Sequence, residues 1–283
     1  MRQLRVGRID IVLLDDGRFR LDGGGMFGVV PRSIWEKHMP PDGRNRIELG
    51  LTCPLITSAG RRVLVDTGVG RKQSARLQEI FAVDTQRTLL HALVDAGVGL
   101  DQIDVVTNTH LHFDHSGWNT RHDAGGNVVP TFPRAAYVFQ KREWDVAREP
   151  DERSQPAYPR ENFAPLTAAR ALDLVDGEVE LATGVFTLPT PGHTCGHQCV
   201  RIESDGEVAV FLGDLIPTPE HIPVHYHMAY DLEPLTLMAK KRDVLEQAAR
   251  DGWLLLFDHD PRARVGRVEV DAGRFSFREI PGH

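Results

Sequence analysis

The chain has 283 residues, 41% of them hydrophobic and 26% charged, enough apolar material to bury a core and too much for an intrinsically disordered chain. The formal net charge of −7 argues against a nucleic-acid binder, which needs a basic stripe for phosphates. No apolar run approaches the ~18 residues of a membrane helix, and the three cysteines, Cys53, Cys195 and Cys199, are too few and odd in number for a disulfide framework. We therefore expect a cytoplasmic protein with neither membrane nor nucleic acid as partner. Cys195 and Cys199 read better as ordinary free cysteines than as a metal pair.

The N-terminus, MRQLRVGRIDIVLL, starts basic and turns apolar as a signal peptide does. Asp10 interrupts the apolar part, so Val6 to Leu14 is expected to be a first strand. Next comes a glycine-rich stretch, Leu21 to Ile47, that carries Met26, Phe27, Val29 and Trp35. It is too apolar for an idle turn, and we expect it to cover a site, with Met26 and Phe27 in a substrate pocket. A homodimer contact is the other use of the same side chains. Leu49 to Thr57 and Arg62 to Asp66 read as a hairpin joined by SAGR. Thr85 to Ala96 has apolar residues at helical spacing, with Gly97 as its C-cap. Ile103 to Thr107 is a β-branched run. Beyond it we expect a strand at Ala136 to Phe139, a helix at Arg142 to Arg148, and strands at Val185 to Leu188, Gln198 to Ile202 and Val208 to Leu212. A long amphipathic helix, Pro234 to Ala249, follows, then strands at Leu254 to Phe257 and from Val265 to Ile280. With no repeat and no linker, the chain reads as one domain over 1–283.

The β-branched run leads straight into THLHFDHSG, residues 109–117, which puts His110, His112, Asp114 and His115 within six positions. Imidazole is the commonest metal-binding side chain, and a carboxylate among several imidazoles suits zinc and its neighbours. Three further candidates each stand just past an apolar run: His193 in TPGHTCGH, Asp214 in FLGD and His259 in LLLFDHD. A sheet delivers side chains to one edge in this way. Asp66 in VLVDTG also stands at a strand end, where it is either a turn former or a support for a ligand.

HLHFDH, PGHT, FLGD and the distal His259 together resemble the metallo-β-lactamase superfamily, over roughly Leu49 to Asp260. The resemblance implies an αββα sandwich with its site at one edge of two facing sheets. It implies one metal on His110, His112 and His193, a second on Asp114, His115 and His259, and Asp214 between them. Two Zn2+ are expected, with Mn, Fe or Co able to take the same ligands. Asp66 is then an outer support, and Asp114 assists proton transfer. A hydroxide bridging the ions attacks the substrate carbonyl. His197 mimics a ligand without holding the family position, and Asp258 and Asp260 are expected to bond backbone or solvent. His221, His225 and His227 are read as pocket or surface residues.

The superfamily hosts several activities. Its flavin-coupled di-iron reductases carry glutamate where His112 stands, its zinc β-lactamases usually lack a bridging aspartate like Asp214, and its nucleases favour basic surfaces. Glyoxalase II adds a helical C-terminal region, where only a short β-like tail follows His259. The segments GMFGVVPRSIWEK and GDLIPTPEHIPVHYHMAYDLEP resemble the quorum-quenching N-acyl-homoserine-lactone lactonases, which implies a small-molecule lactone or ester as substrate. One departure is Pro217, which stands where that group has a tyrosine. Tyr226 or Tyr230 would have to take over, and Tyr226 is assigned to the pocket. A phosphotriesterase, an arylesterase or a non-enzymatic binder of the same fold are the alternatives.

Overall fold

The computed structural model describes residues 1–84, 86–169 and 171–281. Two seven-stranded mixed sheets face each other. The first runs, in spatial order, through Arg2–Val6, Ile9–Asp22, Arg46–Ser58, Arg61–Val65, Val105–Thr107, Ala136–Gln140 and Leu172–Val175. The second runs through Glu180–Ala182, Val185–Pro189, Gln198–Ser204, Glu207–Phe211, Leu254–Leu256, Val265–Asp271 and Arg274–Glu279.

Period-2 alternation makes the sandwich. Val63, Val65, Val105 and Val138 of the first sheet meet Val200, Ile202, Ala209, Phe211 and Leu256 of the second in one buried cluster. Their immediate neighbours Leu64, Val106, Tyr137 and Phe139 face outward, under the helices Leu89–Asp95 and Lys141–Arg148. On the other outer face Val210 and Leu255 pack against Leu237, Val244, Leu245 and Ala248 of Pro234–Asp251. Each buried Val, Leu or Phe contributes about 1.5–3 kcal/mol. Helices outside and sheets inside give the αββα sandwich. Among the described residues, no helix is long and apolar enough to cross a membrane.

The first expected strand is in fact two. A turn at Gly7 and Arg8 splits it, and Val6 pairs with Ile9. The expected hairpin forms with Ser58 opposite Arg61. Its tip, Ala59 and Gly60, has φ of 47° and 80°, the primed turn that matches strand twist. The expected helix after it is Leu89–Asp95, and Thr85, where it was expected to start, lies outside the described residues. Segment 21–47 is less irregular than its composition suggests. Its ends extend the flanking strands, and between them lie two short helices, Gly23–Phe27 and Arg32–Trp35. Met26, Phe27 and Trp35 are each buried within the chain, so a pairing of two copies would have to use other residues.

Four strands of the first sheet, Arg61–Val65, Val105–Thr107, Ala136–Gln140 and Leu172–Val175, run parallel to one another. In the second sheet Glu207–Phe211 and Leu254–Leu256 are parallel. The chain leaves the C-terminal ends of these strands at one edge of the sandwich, and the functional side chains follow there.

Candidate metal centre

The residues singled out in the sequence come together at that edge. Asp66 follows Val65, the His110–His115 turn follows Thr107, Asp214 follows Phe211 and His259 follows Leu256. His193 arrives from the loop after Val185–Pro189. The turn is fixed locally: the amides of His115 and Ser116 both bond the His112 carbonyl, at 3.2 and 3.1 Å. Asn108 Nδ2 donates to the His115 carbonyl at 2.6 Å.

Two groups of donor atoms result. In the first, His112 Nδ1 lies 3.0 Å from His110 Nε2 and 3.1 Å from His193 Nε2. In the second, atoms of His115, Asp214, Asp258 and His259 lie within 4.8 Å of one another. Asp214 stands between the groups. Its Oδ2 is 3.1 Å from His193 Nε2, 3.7 Å from His115 Nε2 and 3.9 Å from His110 Nε2, and its Oδ1 is 3.2 Å from His259 Nε2. Asp114 faces the second group, 3.8 Å from His115 Nε2 and 3.7 Å from His259 Nε2.

The far ring nitrogens are held from behind, as metal-binding imidazoles usually are. His193 Nδ1 donates to Asp231 Oδ1 at 2.8 Å, and His259 Nδ1 donates to the Gly50 carbonyl at 2.9 Å. His115 Nδ1 sits between Asp66 Oδ2 at 3.1 Å and Asp258 Oδ2 at 2.9 Å. Asp258 thus meets the outward nitrogen of His115, while Asp114 and Asp214 meet the inward one. Asp66 also accepts from the Thr109 amide at 2.7 Å and the Thr109 hydroxyl at 2.9 Å, with its own φ at 54°. A bulky β-branched residue would be strained at that angle. The Thr109 hydroxyl in turn accepts from His110 Nδ1 at 3.1 Å.

The donor set fits divalent ions. With Nδ1 as the donor, the neutral rings of His110, His193 and His259 would each turn a bare Nε2 toward other lone pairs. Such a convergence is repulsive unless a cation takes it up. His115 Nε2 and Asp214 Oδ1 are buried with no hydrogen-bond partner, so both have capacity for a ligand. An ion about 2.0–2.1 Å from each of several nitrogens holds them slightly over 3 Å apart, close to the observed separations. The electrostatics agree. Burial and neighbouring imidazoles push His110 and His112 well below the ordinary range. Burial also lowers His115 and His259, but the surrounding carboxylates outweigh it, raising His115 well above its usual value and His259 to about 10. Burial favours a neutral Asp214, yet His193, His115 and His259 hold it well below the carboxylate range. The site attracts positive charge.

A cavity of about 310 Å3 opens over this floor of His112, Asp114, His193, Asp214 and His259. Leu21, Met26, Phe81, Phe113, Met228 and Leu232 form an apolar wall, with Tyr230 and Arg153 among the polar groups. Met26, expected in a substrate pocket, lies in this wall. Phe27 and Tyr226 are not in the lining. Phe27 is stacked between Trp35 and His221, at 5.5 and 4.5 Å, because its flat ring is better covered there, and Tyr226 packs edge-on against it at 6.4 Å.

Of the other residues weighed in the sequence, His197 accepts from the Asp214 amide at 3.1 Å and so braces that aspartate. Asp260 bonds Arg264, as a turn residue would. Cys53, Cys195 and Cys199 are unpaired. The sequence did not reveal the roles of Asp231 and Thr109 behind the ligands, nor the contact of Asp258 with the outward nitrogen of His115. Asp231 follows no apolar run and carries no spacing signal, whereas Asp258, expected to bond backbone or solvent, does accept from the Thr52 amide at 3.0 Å and meets His115 besides.

The metallo-β-lactamase superfamily model matches residues 49–259. An N-acyl homoserine lactonase of Bacillus cereus is 26% identical over 233 residues, covering 78% of this chain and 86% of that one. A probable metal-dependent hydrolase from Staphylococcus aureus superposes with a TM-score of 0.87 at 30% identity, covering 98% and 100% of the two chains. The product complex of AidC, a dizinc quorum-quenching lactonase, superposes with a TM-score of 0.79 at 20% identity, covering 100% and 98%. With the family match spanning most of the chain and the ligand set in place, the chain belongs to the metallo-β-lactamase superfamily and is a metal-dependent hydrolase.

Proposed function

We propose that the protein is a dinuclear hydrolase, with zinc as its native metal, that opens lactone rings of the N-acyl-homoserine type. The observation that carries this reading is the continuity of one cavity, from a floor of metal ligands to a wall of Leu21, Met26, Phe81, Phe113, Met228 and Leu232. Such a wall takes up an acyl tail while the ring lies on the floor. Relatives named as N-acyl homoserine lactonases support the same substrate class.

His110, His112 and His193 would hold one ion, Asp114, His115 and His259 the other, with Asp214 shared. Bound there, the ions would supply a nucleophilic water at neutral pH and polarise the ester carbonyl. Asp66, Asp231 and the Gly50 carbonyl fix the rings of His115, His193 and His259, so their lone pairs need no reorganisation on binding. Asp114 opens onto the cavity and serves as the catalytic group that carries the proton of the attacking water to the departing ring oxygen. Tyr230 lines the cavity while Tyr226 does not, so Tyr230 is the hydroxyl available to the substrate in place of the tyrosine absent at Pro217. Segment 21–47 acts as the wall of the entrance, and the whole chain works as one domain. Three unpaired cysteines suit a reducing cytoplasm.

A phosphotriesterase or arylesterase is the second reading, favoured by Pro217, which has no donor to offer a lactone carbonyl. Hydrolysis in heavy-oxygen water tests the lactone mechanism. In a single turnover the label should enter the new carboxylate. Label in the released hydroxyl would mean attack at the alkyl carbon and would overturn it.

A further inference from the structure

Glu143 lies in the first turn of the helix Lys141–Arg148 and is only 2% exposed. None of the ion pairs among the described residues involves it. Its carboxylate is instead satisfied by three donors. Oε1 accepts from the Leu111 amide at 2.9 Å and from the Tyr158 hydroxyl at 2.9 Å. Oε2 accepts from the Thr194 hydroxyl at 2.6 Å. A buried carboxylate with neutral donors alone is costly to keep, so its placement calls for a reason.

The three donors share a property. Leu111 is the residue between His110 and His112. Thr194 is the residue after His193. The ring of Tyr158 lies against the ring of His112, with centroids 4.8 Å apart. The Leu111 loop leaves the first sheet and the Thr194 loop leaves the second, and no strand pairing joins those two sheets. Gly196 allows the helix to come close enough, since a side chain there would collide with the Glu143 backbone. One carboxylate therefore ties together the carriers of all three imidazoles in the first donor group. Among the described residues it makes no hydrogen bond to Asp114, His115 or His259.

We infer that Glu143 is a positioning residue for the His110, His112 and His193 site, setting the affinity of that ion and not of its neighbour. The inference rests on the dinuclear reading above. Hydrogen bonds to an ionised acceptor are roughly twice as strong as neutral ones, and loss of an outer partner typically weakens metal binding about 10–100-fold.

The test is chelator competition on zinc-loaded protein, read by elemental analysis and needing no substrate. The unaltered protein should release two ions in two steps. Glu143→Ala should weaken one step about 10–100-fold and leave the other where it was. Glu143→Gln can still accept from Leu111 and can donate to the Thr194 hydroxyl, so it should recover most of that loss. Should Glu143→Ala not fold, Thr194→Val removes the Oε2 bond alone and should give the same one-sided weakening. Two steps unchanged, two steps weakened equally, or Glu143→Gln as weak as Glu143→Ala would each overturn the inference. An unaltered protein holding a single ion would sink the dinuclear reading, and the effect of the variants on that ion would still decide the role of Glu143. An unaltered protein holding none would sink both.

Discussion

Asp214 and Asp66 are both buried carboxylates beside imidazoles, yet they occupy different places. Asp214 lies within 3.9 Å of inward nitrogens on four histidines. Asp66 meets the outward nitrogen of His115, the Thr109 amide and hydroxyl and, at 3.4 Å, the Asn108 side-chain amide, and among the described residues it pairs with no inward nitrogen. Removing Asp66 should cost about 10–100-fold in activity or metal affinity, the usual penalty for an outer partner. Removing Asp214 should cost more, because among the described residues it is the carboxylate within reach of inward nitrogens of both donor groups. Comparing kcat/KM and metal content of Asp66→Ala and Asp214→Ala checks this, and equal, mild losses would take Asp214 out of contact with the ions. At this scale the sequence was highly legible. The turn that carries His110, His112, Asp114 and His115 follows one apolar run, His193, Asp214 and His259 each follow another, and the family resemblance joined the seven into one set. Asp231 and Glu143 were illegible because their roles come from loops and helices whose packing no local spacing encodes.

Segment 21–47 is the element in which reading and structure differ most. Its first helix, GGGMF, has almost no intrinsic propensity. It forms because the Asp22 side chain accepts from the Gly25 amide at 2.8 Å and because Phe27 is stacked between Trp35 and His221. His221 lies far along the chain, so no window of sequence reveals the stack. Met26 is left facing the cavity. Met26→Ala should therefore raise KM for long acyl chains more than for short ones. A KM that moves equally for long and short acyl chains, or not at all, would take Met26 out of the substrate wall. The same stack gives a pH prediction. His221 Nε2 donates to the Met26 carbonyl at 2.9 Å, so its Nδ1 accepts from the Thr218 hydroxyl at 2.8 Å, and burial pushes the ring down to about 3. Above about pH 6.5 the ring is neutral in folded and unfolded chains alike. Below that, the unfolded chain takes up a proton that the folded chain refuses, so stability falls with pH until the folded ring titrates. The loss is at most about 1.4 kcal/mol per pH unit. Any stability advantage of the unaltered protein over His221→Gln should therefore shrink between pH 6 and pH 4, as measured by denaturant unfolding. An advantage that stays constant would contradict a neutral buried imidazole.

At the scale of the whole molecule, the sandwich follows from period-2 alternation in strands covered on both faces. Val63 and Val65 go inward while Leu64 goes outward, and Ala209 and Phe211 go inward while Val210 goes outward. The long helix was readable too, expected over Pro234 to Ala249 and found over Pro234–Asp251, where Gly252 with φ 67° caps it. The short strands Leu172–Val175 and Glu180–Ala182 were not, because edge strands with half-exposed faces carry little alternation. The sandwich brings the ligand loops of both sheets to one edge and lays the apolar wall beside them, and the account stands on that joining. The most direct test is a side-by-side measurement of kcat/KM on metal-loaded protein with N-acyl homoserine lactones of graded acyl length, a phosphotriester and an aryl ester. Lactone turnover is expected at about 10⁴ M⁻¹ s⁻¹ or more, within the usual range for enzymes, rising with acyl length and exceeding both other substrates. Rapid turnover of the phosphotriester with none of any lactone would contradict it.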